Sequence, residues 1–186
     1  MKLTFPLKSA FLALPLEEKA KAAFRELQDR LQPYEAVLRF QNPSSPHLTL
    51  IYWPELLEIE YTQIIAQAEK IAEKTEPFPV RIMGAETFGS RGEDRVLHLT
   101  LAFSDELARL KKACPWPNTK PFVPHITLAR IRHPQRFRVV KKKVLKLLKE
   151  SSFEARIDRL RLYAEIEGKK QTQIADFPFT GAKKIE

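Results

Sequence analysis

Cysteine occurs once in these 186 residues, at Cys114. One thiol cannot close an internal disulfide, which agrees with a reducing compartment. Cysteine clusters, HxH and HExxH strings are also missing, so a complete metal shell would be hard to assemble. No apolar run approaches the ~20 residues of a membrane helix. The apolar patch at residues 10–16 is interrupted by Pro15, and no small-residue cleavage site precedes the EEKAK that follows. It reads as a strand entering a helix rather than as an export signal, and the expectation is a cytoplasmic chain with no membrane partner. Low-complexity segments and an obvious linker are absent, which points to one domain over residues 1–186. Acidic residues are in deficit, 23 against 32 Lys and Arg, for a net charge of +9. That excess favours a polyanionic partner, RNA or DNA first, although a Lys-rich solubility surface has the same composition.

What the chain does have is one pentapeptide in two nearly identical copies. PHLTL spans residues 46–50 and PHITL residues 124–128. The periodicity around them predicts strands at residues 11–14, 35–40, 47–53, 80–88, 95–103, 125–131, 153–166 and 172–179. Helices are expected at residues 16–31, 58–74, 105–113 and 135–150, with Ser104 as the N-cap of the third. Strands and helices therefore come in two similar rounds, each with a proline-containing loop feeding a PHxTL strand. The pattern is that of an α+β protein with two lobes related by approximate two-fold symmetry, two antiparallel sheets and helices packed outside.

Residues two apart on a strand share a face, so His47 lies beside Thr49 and His125 beside Thr127. The alternate residues Leu48, Leu50, Ile126 and Leu128 are left for the core. Two imidazoles and two hydroxyls facing one cleft suit a phosphate. The hydroxyls donate to non-bridging oxygens, one protonated imidazole serves a leaving oxygen, and one neutral imidazole takes a proton from water, with no metal or other cofactor. Four histidines and ten threonines predict about 0.2 HxT strings by chance, whereas three occur. The third, His98 and Thr100, lacks the proline and the loop. It reads as a structural strand residue beside the second PHxTL strand.

These residues resemble the two-histidine phosphoesterase superfamily and, within it, the bacterial and archaeal RNA 2′,3′-cyclic phosphodiesterases, also called 2′-5′ RNA ligases. That family carries two HxT[LIV] motifs roughly 80 residues apart, and His47 and His125 are 78 apart. FLALPLEEKAKAAFRELQ is similar to its opening strand and helix, FPVRIMGAETFGSRGEDRVLHLTL to its middle hairpin, PFVPHITLARIR to its second motif and LYAEIEGKKQTQIADFPF to its closing hairpin. The resemblance implies a bilobed fold with a central cleft and no cofactor. It implies His47 as the general acid and His125 as the base, with Thr49 and Thr127 donating to the phosphate. Arg130 matches the family's arginine near the phosphate, and Tyr52 falls where an aromatic often stacks on the nucleobase. Simple alternation places Arg130 and Tyr52 on the face opposite the histidines, so each needs a twist or bulge to reach the cleft. A surface arginine and a core tyrosine are the competing readings.

The chain departs from the family in reading HLTLIYWPE for HLTLxFLG and LRFQNPSSPH for an RWVPPENLH-like string, changes that bear on substrate preference. The implied substrates are RNA or nucleotides with 2′,3′-cyclic phosphates or 2′-5′ linkages, handled by a monomer. The competing reading is a basic module that holds RNA ends without turnover. Lys142, Lys146 and Lys149 share a helix face, either steering RNA or merely solvated, while Lys120 is better placed for an RNA contact. Lys183 and Lys184 belong to the tail.

Overall fold

Alternation and helical spacing assign each element a covered face, and most of those faces meet in one main core. The computed structural model describes residues 3–117 and 121–181. In chain order the elements are β1 (Leu7–Pro15), α1 (Glu18–Arg30), β2 (Leu38–Phe40), β3 (His47–Leu56), α2 (Glu58–Glu73), β4 (Phe78–Ser90), β5 (Glu93–Leu101), α3 (Asp105–Ala113), β6 (His125–Ile131), α4 (Pro134–Leu148), β7 (Ser152–Ile157), β8 (Arg159–Ile166) and β9 (Lys169–Pro178). Helix α1 buries Ala20, Phe24 and Leu27 at i, i+4 and i+7, and a 3-10 turn at Gln32–Tyr34, with Pro33 inside it, follows its end. Helix α3 starts where its cap residue predicts: the Leu107 amide donates to Ser104 Oγ at 3.2 Å.

The protein is α+β, and every strand pairing is antiparallel. Strands β7-β4-β5-β6 form one half, and β3-β1-β8-β9 form the other. The halves join where Leu48 of β3 lies opposite Ile126 of β6, and β2 pairs with β6 beside that point, so the two sheets expected are halves of one nine-stranded sheet. Leu48, Leu50, Ile126 and Leu128 face a core shared with Phe24 of α1, Ile71 of α2, Leu107 of α3 and Phe137 of α4. The helices therefore cover the face opposite the histidines. Cys114 is buried in this core, and burial pushes its thiol up to about 11.

Two further expectations need correction. Residues 153–166 are two strands, because β7 pairs with β4 in one half whereas β8 pairs with β1 in the other. The buried positions switch from Ala155 and Ile157 to Leu160 and Leu162, and the change of parity at Asp158 marks the crossing. The strand expected at residues 35–40 shortens to β2, because the 3-10 turn at Gln32–Tyr34 occupies its approach.

Candidate active site

The four motif residues meet at the seam between the halves. With Leu48 opposite Ile126, the antiparallel register brings His47 across from Thr127 and Thr49 across from His125. The two histidines are diagonal neighbours, a relation that sets side chains roughly 7–8 Å apart.

Arg130 and Tyr52 reach the same face through matched β-bulges. Along β3, the register with β1 shifts between Leu12↔Ile51 and Ala13↔Thr49, which leaves Leu50 as the extra residue. Along β6, the register with β5 shifts between Leu97↔Ala129 and His98↔Thr127, which leaves Leu128 as the extra residue. A bulge reverses the parity of everything after it. Leu50 and Ile51 are therefore both buried and Tyr52 is 54% exposed, while Leu128 and Ala129 are both buried and Arg130 is exposed.

Each bulge is supported by a helix side chain. Gln28 of α1, itself buried, donates to the carbonyl of Leu128 at 3.2 Å and to that of Gln41 at 2.8 Å. Lys111 of α3 donates to the carbonyl of Leu50 at 3.0 Å. Gln28 thus adds a second donor at the Leu128 carbonyl, which also accepts from the Gln41 amide at 3.1 Å.

The two imidazoles are held alike. His47 Nδ1 lies 2.7 Å from the Ser45 carbonyl, and His125 Nδ1 lies 2.8 Å from the Val123 carbonyl. A carbonyl only accepts, so Nδ1 carries the hydrogen in both rings and Nε2 is left for chemistry. Burial pulls the His47 imidazole below its ordinary range; the Ser45 carbonyl opposes this, and the charge on His125 adds to it. Neither Thr49 nor Thr127 hydrogen-bonds through its hydroxyl to any of the described residues.

The surroundings of the two rings differ. Phe11 stacks on His47 at 4.9 Å, and Tyr163 packs against both at 4.9 and 5.3 Å. The Arg161 guanidinium lies 5.9 Å above the Tyr163 ring and is fastened by Asp176, at 2.7 Å for one of the bonds. On the other side, His125 meets Phe88 edge-on at 5.0 Å and His98 at 5.4 Å. His98 is 5% exposed, and burial lowers its pKa. It is a strand residue in register with Thr127, as expected, and it also touches the His125 ring. The aromatic contacts of Phe11, Tyr163 and Phe88 were not legible in the sequence, because each comes from another strand.

Lys142, Lys146 and Lys149 are exposed at α4, which backs the sheet's other face, and Lys141 is paired to Asp94 at 2.9 Å. Lys120, Lys183 and Lys184 lie outside the described residues. Among the described residues, no group of three or more His, Cys, Asp or Glu side chains could hold a metal ion, and no helix is long and apolar enough to cross a membrane. A surface cavity of about 760 Å³ between α2, α3 and the start of β4 shares no residue with the histidine face.

The similarities to known proteins agree with this geometry. The chain is 31% identical over 137 residues to the RNA 2′,3′-cyclic phosphodiesterase of Thermus thermophilus, covering 67% of this chain and 69% of that protein. It is 26% identical over 133 residues to the protein of the same name from Methanothermobacter thermautotrophicus, covering 68% and 72%. The crystal structure of TT0787, also from Thermus thermophilus, superposes with a TM-score of 0.72 at 24% identity, over 94% of this chain and all of that one. E. coli LigT complexed with 3′-AMP gives a TM-score of 0.66 at 19% identity, over 94% and 99%, and at these identities both structures speak to the fold alone. The model of the 2′-5′ RNA ligase superfamily matches residues 16–169, and the chain belongs to that superfamily.

Proposed function

We propose that the protein is a metal-independent phosphodiesterase that opens 2′,3′-cyclic phosphate ends of RNA to a 2′-phosphate. The observation that carries this reading is the matched fixing of two Nε2 nitrogens on neighbouring strands, one from each half of the molecule. The names of the related phosphodiesterases agree with it.

His47 Nε2 gives its proton to the departing O3′, and His125 Nε2 accepts a proton from the attacking water. The water oxygen bonds to phosphorus as the P–O3′ bond breaks, leaving the phosphate on O2′. Thr49 and Thr127 donate to the non-bridging oxygens, and Arg130 adds a cation at the end of the β6 row. Burial disfavours the protonated form of His47 in the free protein. The bound phosphate supplies the negative charge that restores the proton. With a 5′-hydroxyl in place of water, the same two groups join RNA ends through a 2′-5′ linkage. Tyr52, exposed at the end of the β3 row, offers a face to the nucleobase.

The test is turnover of a 2′,3′-cyclic nucleotide and of a cyclic-phosphate-ended oligonucleotide, both in EDTA. Hydrolysis should persist in the chelator and fall by about 10²- to 10⁴-fold in His47→Ala and in His125→Ala. Tight binding without turnover would instead make the protein a holder of RNA ends. Unimpaired hydrolysis in either variant would remove that histidine from the mechanism.

A further inference from the structure

Arg39 of β2 lies directly opposite Arg130 of β6. Leu38 and Ile131 beside them face the core, so the two guanidinium groups share the face that carries His125 and Thr127. Both side chains are exposed, and neither forms an ion pair among the described residues. Like charges directly across an antiparallel pair are destabilising. A chain that keeps them there, past the last hydroxyl of the site, has a cation pair without an anion.

Ribose connectivity says which anion fits. In a nucleotide with a 2′,3′-cyclic phosphate, the base hangs from C1′ beside C2′, and the rest of the RNA leaves through C4′ beside C3′. Base and upstream chain therefore diverge to opposite sides of the cyclic phosphate. The site has the same polarity. Strands β3 and β6 run antiparallel, so Tyr52 and Arg130, each the fifth residue after its histidine, lie at opposite ends of the motif. With the base at Tyr52, the phosphate on the 5′ side of the terminal ribose is led toward Arg130 and Arg39.

We infer that Arg39, with Arg130, forms a second phosphate subsite that takes the upstream backbone phosphate of an RNA end, and so makes the protein prefer oligonucleotides to cyclic mononucleotides. This rests on the reading of the preceding subsection. Arg130 serves the scissile phosphate as well, whereas Arg39 is committed to the upstream one.

The experiment compares kcat/KM of Arg39→Ala and the unaltered protein on a 2′,3′-cyclic mononucleotide without a 5′-phosphate and on a trinucleotide with the same cyclic end. The ratio of trinucleotide to mononucleotide kcat/KM should fall at least about tenfold, the loss of one charge-assisted hydrogen bond. The dependence of log kcat/KM on log salt for the trinucleotide should become shallower by about 0.7, the value for one phosphate on a single strand. The melting temperature should hold or rise as the like-charge pair is relieved, which a structural role for Arg39 would not produce. An unchanged ratio, or equal losses on both substrates, overturns the subsite. If the unaltered protein turns over neither substrate, the phosphodiesterase reading itself fails.

Discussion

Gln28 on α1 donates its side-chain amide to the carbonyl of Leu128 on β6, and that bond lets a helix behind the sheet control what appears in front of it. The carbonyl belongs to the extra residue of the β6 bulge. Without that extra residue, Arg130 would point into the core. Gln28→Leu should leave the Gln41 carbonyl without its side-chain donor, while the Leu128 carbonyl keeps the Gln41 amide at 3.1 Å, for a cost of about 1–3 kcal/mol. Denaturant melts will measure the loss, and a midpoint equal to that of the unaltered protein would show that the bond carries no stability.

Thr49 and Thr127 should weaken phosphate contact without weakening the fold. Their hydroxyls have no partner among the described residues, so alanine at either position removes no internal bond. Each substitution should cost about 1.5–3 kcal/mol in kcat/KM, as expected for a hydrogen bond to a charged group. Near-wild-type kinetics accompanied by a lowered melting temperature would assign the hydroxyls to structure.

His47 should titrate below the ordinary imidazole range in the free protein, and its pKa should rise when inorganic phosphate or a 2′-nucleotide binds. Burial is the chief cause, and Phe11 and Tyr163 form the wall responsible. Phe11→Ala admits water and should move the pKa back up, while costing about 3–5 kcal/mol of stability as a buried ring is removed. Imidazole NMR shifts followed over pH will report both changes, and a His47 pKa above 6.5 in the free protein would contradict the argument.

Stability should fall on mild acidification. His47 and His98 both have folded-state pKa values lowered from 6.5, so the unfolded chain binds more protons between those values and about 6.5. The stabilisation is whole above about pH 6.5 and is lost as pH drops through that value toward the folded pKa of each ring. Glu86 opposes the shift at His98, where burial prevails. Unfolding free energies at about pH 7.5 and 5.5 should differ in the unaltered protein and differ less in His98→Phe. An equal difference in both would exclude His98 as a contributor.

Much of this was legible in the sequence because the core faces alternate cleanly. His47, Thr49, His125 and Thr127 alternate with residues that are fully or nearly fully buried. The positions after them did not follow, since strict alternation assigns Tyr52 and Arg130 to the wrong side. The signal was present as two consecutive apolar residues, Leu50-Ile51 and Leu128-Ala129, at the same offset from each histidine. One such pair is ordinary, whereas the same pair twice marks a bulge. The break at Asp158 left a comparable trace in the shift of apolar parity. Long-range neighbours left none: nothing near Phe11 in the chain announces Tyr163, and nothing near Arg39 announces Arg130.

Leu48 and Ile126 form the rung on which β3 and β6, the two motif strands, are gauged against each other. Both are fully buried, and each has an imidazole for its immediate neighbour. A methyl group gained or lost there travels one residue to an imidazole, while the same change elsewhere is spread along an extended ladder. The spacing of the two imidazoles is thus calibrated by hydrocarbon, and evolutionary drift in those two side chains would retune it without altering either histidine.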